Sequence, residues 1–189
     1  MELGLGMLRE GHLGLGLLVY LPFAGVFALL ELWVLFGIGV AATVIGAGLP
    51  DLDTKILFVK HRGWTHTVWF MVAVGIAGLI VGGLSLQWLF GYFPLVSNLV
   101  STTIGVAAVG VFAGGLVVGV GSHLLGDLVT REGLCPFHPV LPRGCGGLAV
   151  SDSRYHWGSL RAKNRVVNAV FLTAGLAGLS GVVFLGTNL

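Results

Sequence analysis

Long apolar stretches alternate with shorter polar segments along the whole chain. Five stretches have about the length of a membrane-spanning helix, and we predict one helix for each: residues 13–30, 32–49, 67–90, 101–127 and 166–185. Polar residues are concentrated between them, in a loop at 50–66, a short turn at 91–100 and a long segment at 128–165. The pattern predicts an all-α fold, a multi-spanning bundle of about five transmembrane helices.

Composition supports this interpretation. The chain is 56% hydrophobic and 10% charged, whereas soluble domains carry about 25% charged residues. No polar linker divides it, so we expect one integral membrane domain over residues 1–189 with segment 128–165 as a part of it. The 32 glycines are spread through the apolar stretches, which predicts close helix packing. A net charge of +2 without a basic stripe gives no indication of a nucleic acid partner.

Positive charge predicts the orientation. All ten Lys and Arg residues precede the first predicted helix, lie between the second and third, or lie between the fourth and fifth. Such residues remain on the cytoplasmic side of a membrane, and five spans place these three segments together. We therefore expect the N-terminus and segment 128–165 in the cytoplasm, under the plasma or inner membrane. The first apolar stretch has acidic neighbours and no small-residue cleavage site, so we expect it to be a retained helix.

Histidines and aspartates occur at these same cytoplasmic ends of the predicted helices: His12, Asp51, Asp53, His61, His66, His123 and Asp127. Charged groups at membrane depth cost about 2.5–3.5 kcal/mol each and usually mark a function. His123 and Asp127 are one helical turn apart and point the same way, and Pro50 favours a turn after the second helix. Imidazoles and carboxylates suit zinc, or manganese or iron where oxygen ligands dominate. We predict a site for one or two divalent metal ions, most simply zinc, at the cytoplasmic face.

Each of these features also has a simpler explanation. A single histidine at a membrane boundary is commonly just interfacial. His123 and Asp127 are also spaced for a packed, hydrogen-bonded pair between helices, and Asp51 and Asp53 are residue types favoured in turns. Their coincidence on one face favours the metal site.

The polar segment 128–165 contains a second set of metal-competent residues: Cys135, His138, Cys145 and His156. These are ligand types of structural zinc sites. Three prolines in the same segment favour an irregular loop packed on the bundle instead. A cytoplasmic location predicts that the two cysteines are reduced.

Several short motifs carry a family resemblance. Gly11-His12, "LPDLD" at 49–53, "HRGWTH" at 61–66, "SHLLGDLVT" at 122–130 and the following "CPFHPVLP" resemble, in this order, the YdjM-type family. Its members are described as LexA-regulated, membrane-bound proteins and are expected to be metal-dependent hydrolases. The resemblance covers residues 11 to about 143 and implies a multi-spanning membrane protein with that activity. Segment 156–168 has no acidic residue where the family pattern often has a glutamate.

The order of the motif residues is also similar to that in the zinc-dependent phospholipase C and P1 nuclease group, which are all-helical enzymes with clustered metals. This second likeness implies that His12, Asp51, His66, His123 and Asp127 are metal ligands. It also implies that Asp127 bridges two metal ions.

We therefore predict a membrane-bound metal-dependent hydrolase that acts on a phosphoester of a membrane lipid or a lipid-linked substrate. Asp53 is the candidate general base, and His61 is a candidate ligand or a partner that hydrogen-bonds a ligand. Arg62, together with Lys60, is a candidate for binding phosphate oxygens.

Two other functions fit the same residues. One is a metal-binding transporter or sensor without chemistry, although beyond their cytoplasmic ends the predicted helices carry little polarity besides Ser, Thr and Gly. The other is a membrane scaffold in which the motif is structural, and this function predicts no stoichiometric metal.

Overall fold

The computed structural model describes residues 7–55, 63–130, 134–138, 160 and 164–188. Within them the chain forms the helices α1 (Arg9–Leu29), α2 (Trp33–Gly48), α3 (Val68–Tyr92), α4 (Pro94–Leu99), α5 (Thr102–Val129) and α6 (Arg165–Asn188). Two short 3₁₀ turns, Pro50–Lys55 and Trp64–His66, lie between α2 and α3. Five of the helices, all except α4, are long and apolar enough to cross a membrane. The predicted all-α, multi-spanning fold is confirmed.

The predicted boundaries are close to the observed ones, with one element missed. α1 begins at Arg9 rather than at residue 13, and α6 ends at Asn188 rather than at 185. Hydropathy marks the part of a helix that lies in hydrocarbon, whereas the helix itself continues into the polar interface. The turn expected at 91–100 contains α4, which Pro94 begins at its first position, where proline's fixed φ suits a helix start.

Three helices form the centre of the bundle. α1, α2 and α5 pack against one another, α6 packs against α1, and α3 packs against α5. Only 6% of the most apolar 18-residue stretch is buried in α3 and in α6, whereas 39% of the corresponding stretch is buried in α1 and in α2. The outer helices therefore present apolar side chains to their surroundings, as helices facing lipid do.

Glycines bring the backbones of α2 and α5 into direct contact. A Cβ atom built on Gly119 would lie 2.6 Å from the backbone nitrogen of Ala47, and one on Gly115 would lie 2.8 Å from the carbonyl oxygen of Gly39. Small residues allow this approach between membrane helices. On the same helix, a Cβ atom on Gly110 would meet no atom within 4 Å. Close packing therefore depends on particular glycines of α5.

We expect Gly119→Ala to destabilise the protein and Gly110→Ala to leave its stability unchanged or raise it. The added methyl group at residue 119 forces α2 and α5 apart, and such overpacking costs about 1–3 kcal/mol. At residue 110 alanine gains up to about 1 kcal/mol through helix propensity. Thermal unfolding of the two variants in detergent measures the difference, at roughly 2–4 °C for each kcal/mol in a chain of this size. Equal midpoints would contradict the role of this contact.

Candidate metal centre

Four separate segments deliver the five predicted ligands to one end of the bundle. His12 lies in the first turn of α1, and Asp51 lies in the 3₁₀ turn directly after α2. His66 ends the 3₁₀ turn before α3, and His123 and Asp127 lie in the last two turns of α5. The structure brings all five side chains together, in contacts of 3.9 Å or less.

Local sequence explains how the two turns form. Pro50 cannot continue the hydrogen bonding of α2, so the chain changes to a 3₁₀ turn there. Thr67 caps α3: its hydroxyl accepts from the backbone N–H of Phe70 at 3.2 Å and donates to the carbonyl of Trp64 at 2.7 Å. The backbone N–H of Val68 donates to the carbonyl of Pro136 at 2.8 Å. These bonds fix the turn that carries His66.

Carboxylate oxygens of Asp51 and Asp127 lie near the Nε2 atoms of His66 and His123. The Nε2 atoms of His66 and His123 are 3.3 Å apart. Asp51 Oδ1 lies 3.9 Å and 3.6 Å from these two nitrogens, and Asp127 Oδ2 lies 3.5 Å and 3.7 Å from them. A tetrahedron of zinc ligands with bonds of about 2.0–2.1 Å has edges of roughly 3.3–3.4 Å. The separation of the two Nε2 atoms matches such an edge, and the group of His66, His123 and Asp127 could hold one divalent ion.

His12 extends the cluster on its other side. Its Nε2 lies 3.8 Å from Asp127 Oδ1, and its ring stacks on that of His123 with centroids 3.7 Å apart. Asp127 thus presents one oxygen to His12 and the other to His66 and His123. Two overlapping groups could hold a metal ion, namely His12 with Asp51 and His123, and His66 with His123 and Asp127. A carboxylate placed between two such groups is suited to bridge two ions.

In His66 and His123, Nδ1 points away from the cluster and takes part in a hydrogen bond. That bond determines whether Nε2, which faces the cluster, carries a hydrogen or a lone pair. His123 Nδ1 lies 2.8 Å from the carbonyl oxygen of Ala47, which can only accept, so Nδ1 carries the hydrogen. Thr65 donates its single hydroxyl hydrogen to Asp53 at 2.6 Å and therefore accepts from His66 Nδ1 at 3.0 Å. In the neutral form of both rings the two Nε2 lone pairs then face each other. A cation between them removes that repulsion and uses both lone pairs.

Burial of this donor set without a cation costs free energy. The side chains of His12, His66, His123 and Asp127 are almost fully buried, whereas that of Asp51 is 35% exposed. Buried carboxylates need a compensating positive charge, particularly inside an apolar bundle. The cluster is thus chemically suited to a metal ion, and its exposed edge is at Asp51.

Of the three predicted catalytic residues, only Asp53 lies within the described part of the chain. Asp53 is buried, and its Oδ2 lies 3.4 Å from Nδ1 of His66, on the opposite side of the ring from the cluster. These are the contacts of a carboxylate that orients a ligand histidine, and the general-base role stays a prediction. His61 and Arg62 lie outside the described residues, as does Lys60, so their roles also stay predictions.

Two groups that orient the ligand histidines were not predicted from the sequence. Thr65 connects Asp53 to His66, and the Ala47 carbonyl orients His123. Thr65 had a signal, because it directly precedes a candidate ligand in "HRGWTH". A backbone carbonyl leaves no signal in the sequence, since every residue has one.

The second candidate set does not gain support. Cys135 is disulfide-bonded, so the expectation of a reduced thiol at this residue is wrong. A disulfide sulfur is not the thiolate that zinc binds. His138 is close to Cys135 in the sequence, and its backbone N–H donates to the backbone carbonyl of Cys135 at 3.2 Å. Cys145 and His156 lie outside the described residues.

Comparison with known proteins identifies the family of this chain. The model of the family described as YdjM inner membrane protein matches residues 7–187, a range that includes every ligand candidate. No curated protein and no solved structure matches the chain. With nearly all of its residues matched and five helices able to cross a membrane, the chain is an integral membrane protein that belongs to the YdjM inner membrane protein family.

Proposed function

We propose that this protein is a metal-dependent hydrolase of phosphoesters and that a membrane lipid or lipid-linked molecule is its substrate. The observation that supports this function best is the convergence of three histidines and two aspartates from four segments, with the Nε2 atoms of His66 and His123 only 3.3 Å apart. Zinc fits the donor set, and manganese or iron fits the carboxylate-rich side. A bound divalent ion supplies a water of lowered pKa and a positive charge for the phosphoryl oxygens.

The chain's own residues prepare the site for this chemistry. Asp53 and Thr65 hold His66, and the Ala47 carbonyl holds His123, so both Nε2 atoms point inward without further movement. Such preorganisation reduces the free-energy cost of binding and reaction. The phosphoester approaches at Asp51, because the side chains of the other four ligand candidates are almost fully buried.

Apolar cavities next to the cluster favour a lipid substrate. One of about 240 Å³ lies between α1, α5 and α6 and is lined mainly by apolar residues such as Leu125 and Phe171. Gly126 lines this cavity, and a Cβ atom on Gly126 would lie 3.0 Å from Nδ1 of His12, so the cavity adjoins the cluster. A second cavity of about 610 Å³ extends along α5 towards α3 and shares Leu125. An acyl chain fits such apolar spaces on membrane-crossing helices.

We expect His123→Ala and Asp127→Asn to abolish metal binding and hydrolysis together while the protein remains in the membrane. His123 belongs to both groups that could hold an ion. Asp127 belongs to one of them and contacts His12 of the other. Elemental analysis of the purified protein measures the metal. Turnover of phosphatidylethanolamine and phosphatidylglycerol in vesicles, with and without chelator, measures activity, and bis(p-nitrophenyl) phosphate serves as a soluble phosphodiester.

His138→Ala is the matched control, since His138 lies outside the cluster, and it should keep both metal and activity. Asp53→Asn should weaken metal affinity by roughly 10–100-fold rather than abolish it, as loss of an orienting partner does. A His123→Ala protein that keeps its full metal content would disprove the ligand set. Stoichiometric metal without turnover of any phosphoester would instead assign the cluster to a metal transporter or sensor.

Leu125→Trp should reduce turnover of long-chain phospholipid and leave hydrolysis of bis(p-nitrophenyl) phosphate unchanged. Leu125 lines both apolar cavities and is 42% exposed, so the larger ring fills them without entering the packed centre. The measurement is the ratio of the two kcat/KM values. If kcat/KM fell equally for both substrates, or fell for neither, these cavities would have no role in binding the lipid.

We also propose that the cluster faces the cytoplasm. Along the sequence, all Lys and Arg residues lie at the start of α1, between α2 and α3, or between α5 and the first residue of α6, and this asymmetry sets orientation. The disulfide at Cys135 favours the opposite side, because most cytoplasmic thiols stay reduced. Alkaline phosphatase fused after residue 189 should be active and a green fluorescent protein at the same position dark. The reverse pattern would place the cluster outside.

A further inference from the structure

Two hydroxyl groups are buried in the apolar centre of the bundle. Tyr20 of α1 is 3% exposed and Thr43 of α2 is fully buried. Among the described residues, neither Tyr20 Oη nor Thr43 Oγ1 has a hydrogen-bond partner. A buried hydroxyl that makes no hydrogen bond is destabilising, and native proteins seldom tolerate one without compensation.

Both hydroxyls lie at the contact between α1 and α2. The Tyr20 ring packs against Gly39, which is one helical turn from Thr43 on α2. One turn before Tyr20, a Cβ atom on Gly16 would lie 3.5 Å from Thr43 Cγ2 and 3.2 Å from the hydroxyl oxygen of Ser122. Gly16 thus brings α1 close to Thr43 of α2 and to Ser122 of α5.

This region lies on the bilayer side of the metal cluster. Ala47 follows Thr43 by one helical turn, and its carbonyl oxygen is 2.8 Å from His123 Nδ1. Tyr20 follows His12 by two turns along α1. The hydroxyls are therefore deeper in the bundle than the ligand candidates, opposite the exposed edge at Asp51.

The chemistry of this region selects a small neutral ligand. Segments 16–20 and 39–43, which carry the two hydroxyls, contain no charged side chain, so nothing there compensates a metal cation or an anion. Each hydroxyl both donates and accepts, and carbonyls beside glycine keep a second lone pair that is not shielded by a side chain. Water matches this arrangement, since buried waters typically make about three hydrogen bonds to such groups.

We propose that Tyr20 and Thr43 bind a shared cluster of ordered water between α1 and α2, on the bilayer side of the metal centre. The metal centre then has water on its inner side as well as at the Asp51 edge. This proposal does not depend on the hydrolase reaction and stands if the metal centre has another role.

The first test removes each hydroxyl with little change of shape. Tyr20→Phe and Thr43→Val should each lower the thermal unfolding midpoint by roughly 2–4 °C in detergent, because the bound water loses a partner. The matched controls are Tyr92→Phe and Thr173→Val, whose side chains are exposed, and they should not change it. If no water is bound, removal of an unpaired hydroxyl leaves the midpoint unchanged or raises it, and either result overturns the proposal.

The second test detects the water directly. Brief X-ray irradiation converts water next to a side chain into hydroxyl radicals, and mass spectrometry locates the oxidised residue. Tyr20 should be oxidised in the wild-type protein despite its burial, with a several-fold lower yield in Thr43→Val. No oxidation of Tyr20, or an equal yield in both proteins, overturns the proposal. A midpoint that falls when choline replaces sodium in the buffer would also overturn it, by identifying a bound cation.

Discussion

The cluster depends on the close approach of two imidazole nitrogens inside an apolar bundle. His66 and His123 place their Nε2 atoms 3.3 Å apart, with carboxylate oxygens of Asp51 and Asp127 within 3.9 Å of them. Neutral rings that donate through Nδ1 repel each other in this arrangement, and buried carboxylates require a positive charge. One divalent ion satisfies both demands, so the ligand chemistry and the burial of the site support the same conclusion.

Helix packing holds these nitrogens in position. Gly46 and Gly119 let α2 and α5 touch through their backbones, and that contact places the carbonyl of Ala47 within hydrogen-bonding distance of His123. On the other side, the capped turn at Trp64–His66 and the Asp53–Thr65 pair fix the second ring. The site is therefore a consequence of where the ends of four helices lie and how closely two of them pack, rather than of any one motif.

The surroundings of the cluster differ on its several sides. Asp51 provides a partly exposed edge, apolar cavities adjoin it along α5, and two hydroxyls lie deeper in the bundle. A phosphate group and an acyl chain would each find a matching environment within one lipid molecule's reach of the ion. This combination supports the proposal of a substrate drawn from the bilayer, and it would give the proposed hydrolysis polar groups on two sides.

The sequence by itself determined the number of membrane helices and the residues of the cluster. Bilayer thickness imposes a minimum length on each apolar stretch, and the spacing of His123 and Asp127 places them on one helix face whatever surrounds the helix. The contact between Asp53 and Nδ1 of His66 was decided by tertiary structure, because no local pattern in the sequence shows it. The orienting carbonyl of Ala47 and the isolation of Tyr20 and Thr43 likewise depend on which helices meet. Hydropathy and local spacing carry no information about contacts between residues far apart in the chain, and those contacts set the direction of each ring nitrogen and decide whether a buried hydroxyl has a partner within the protein.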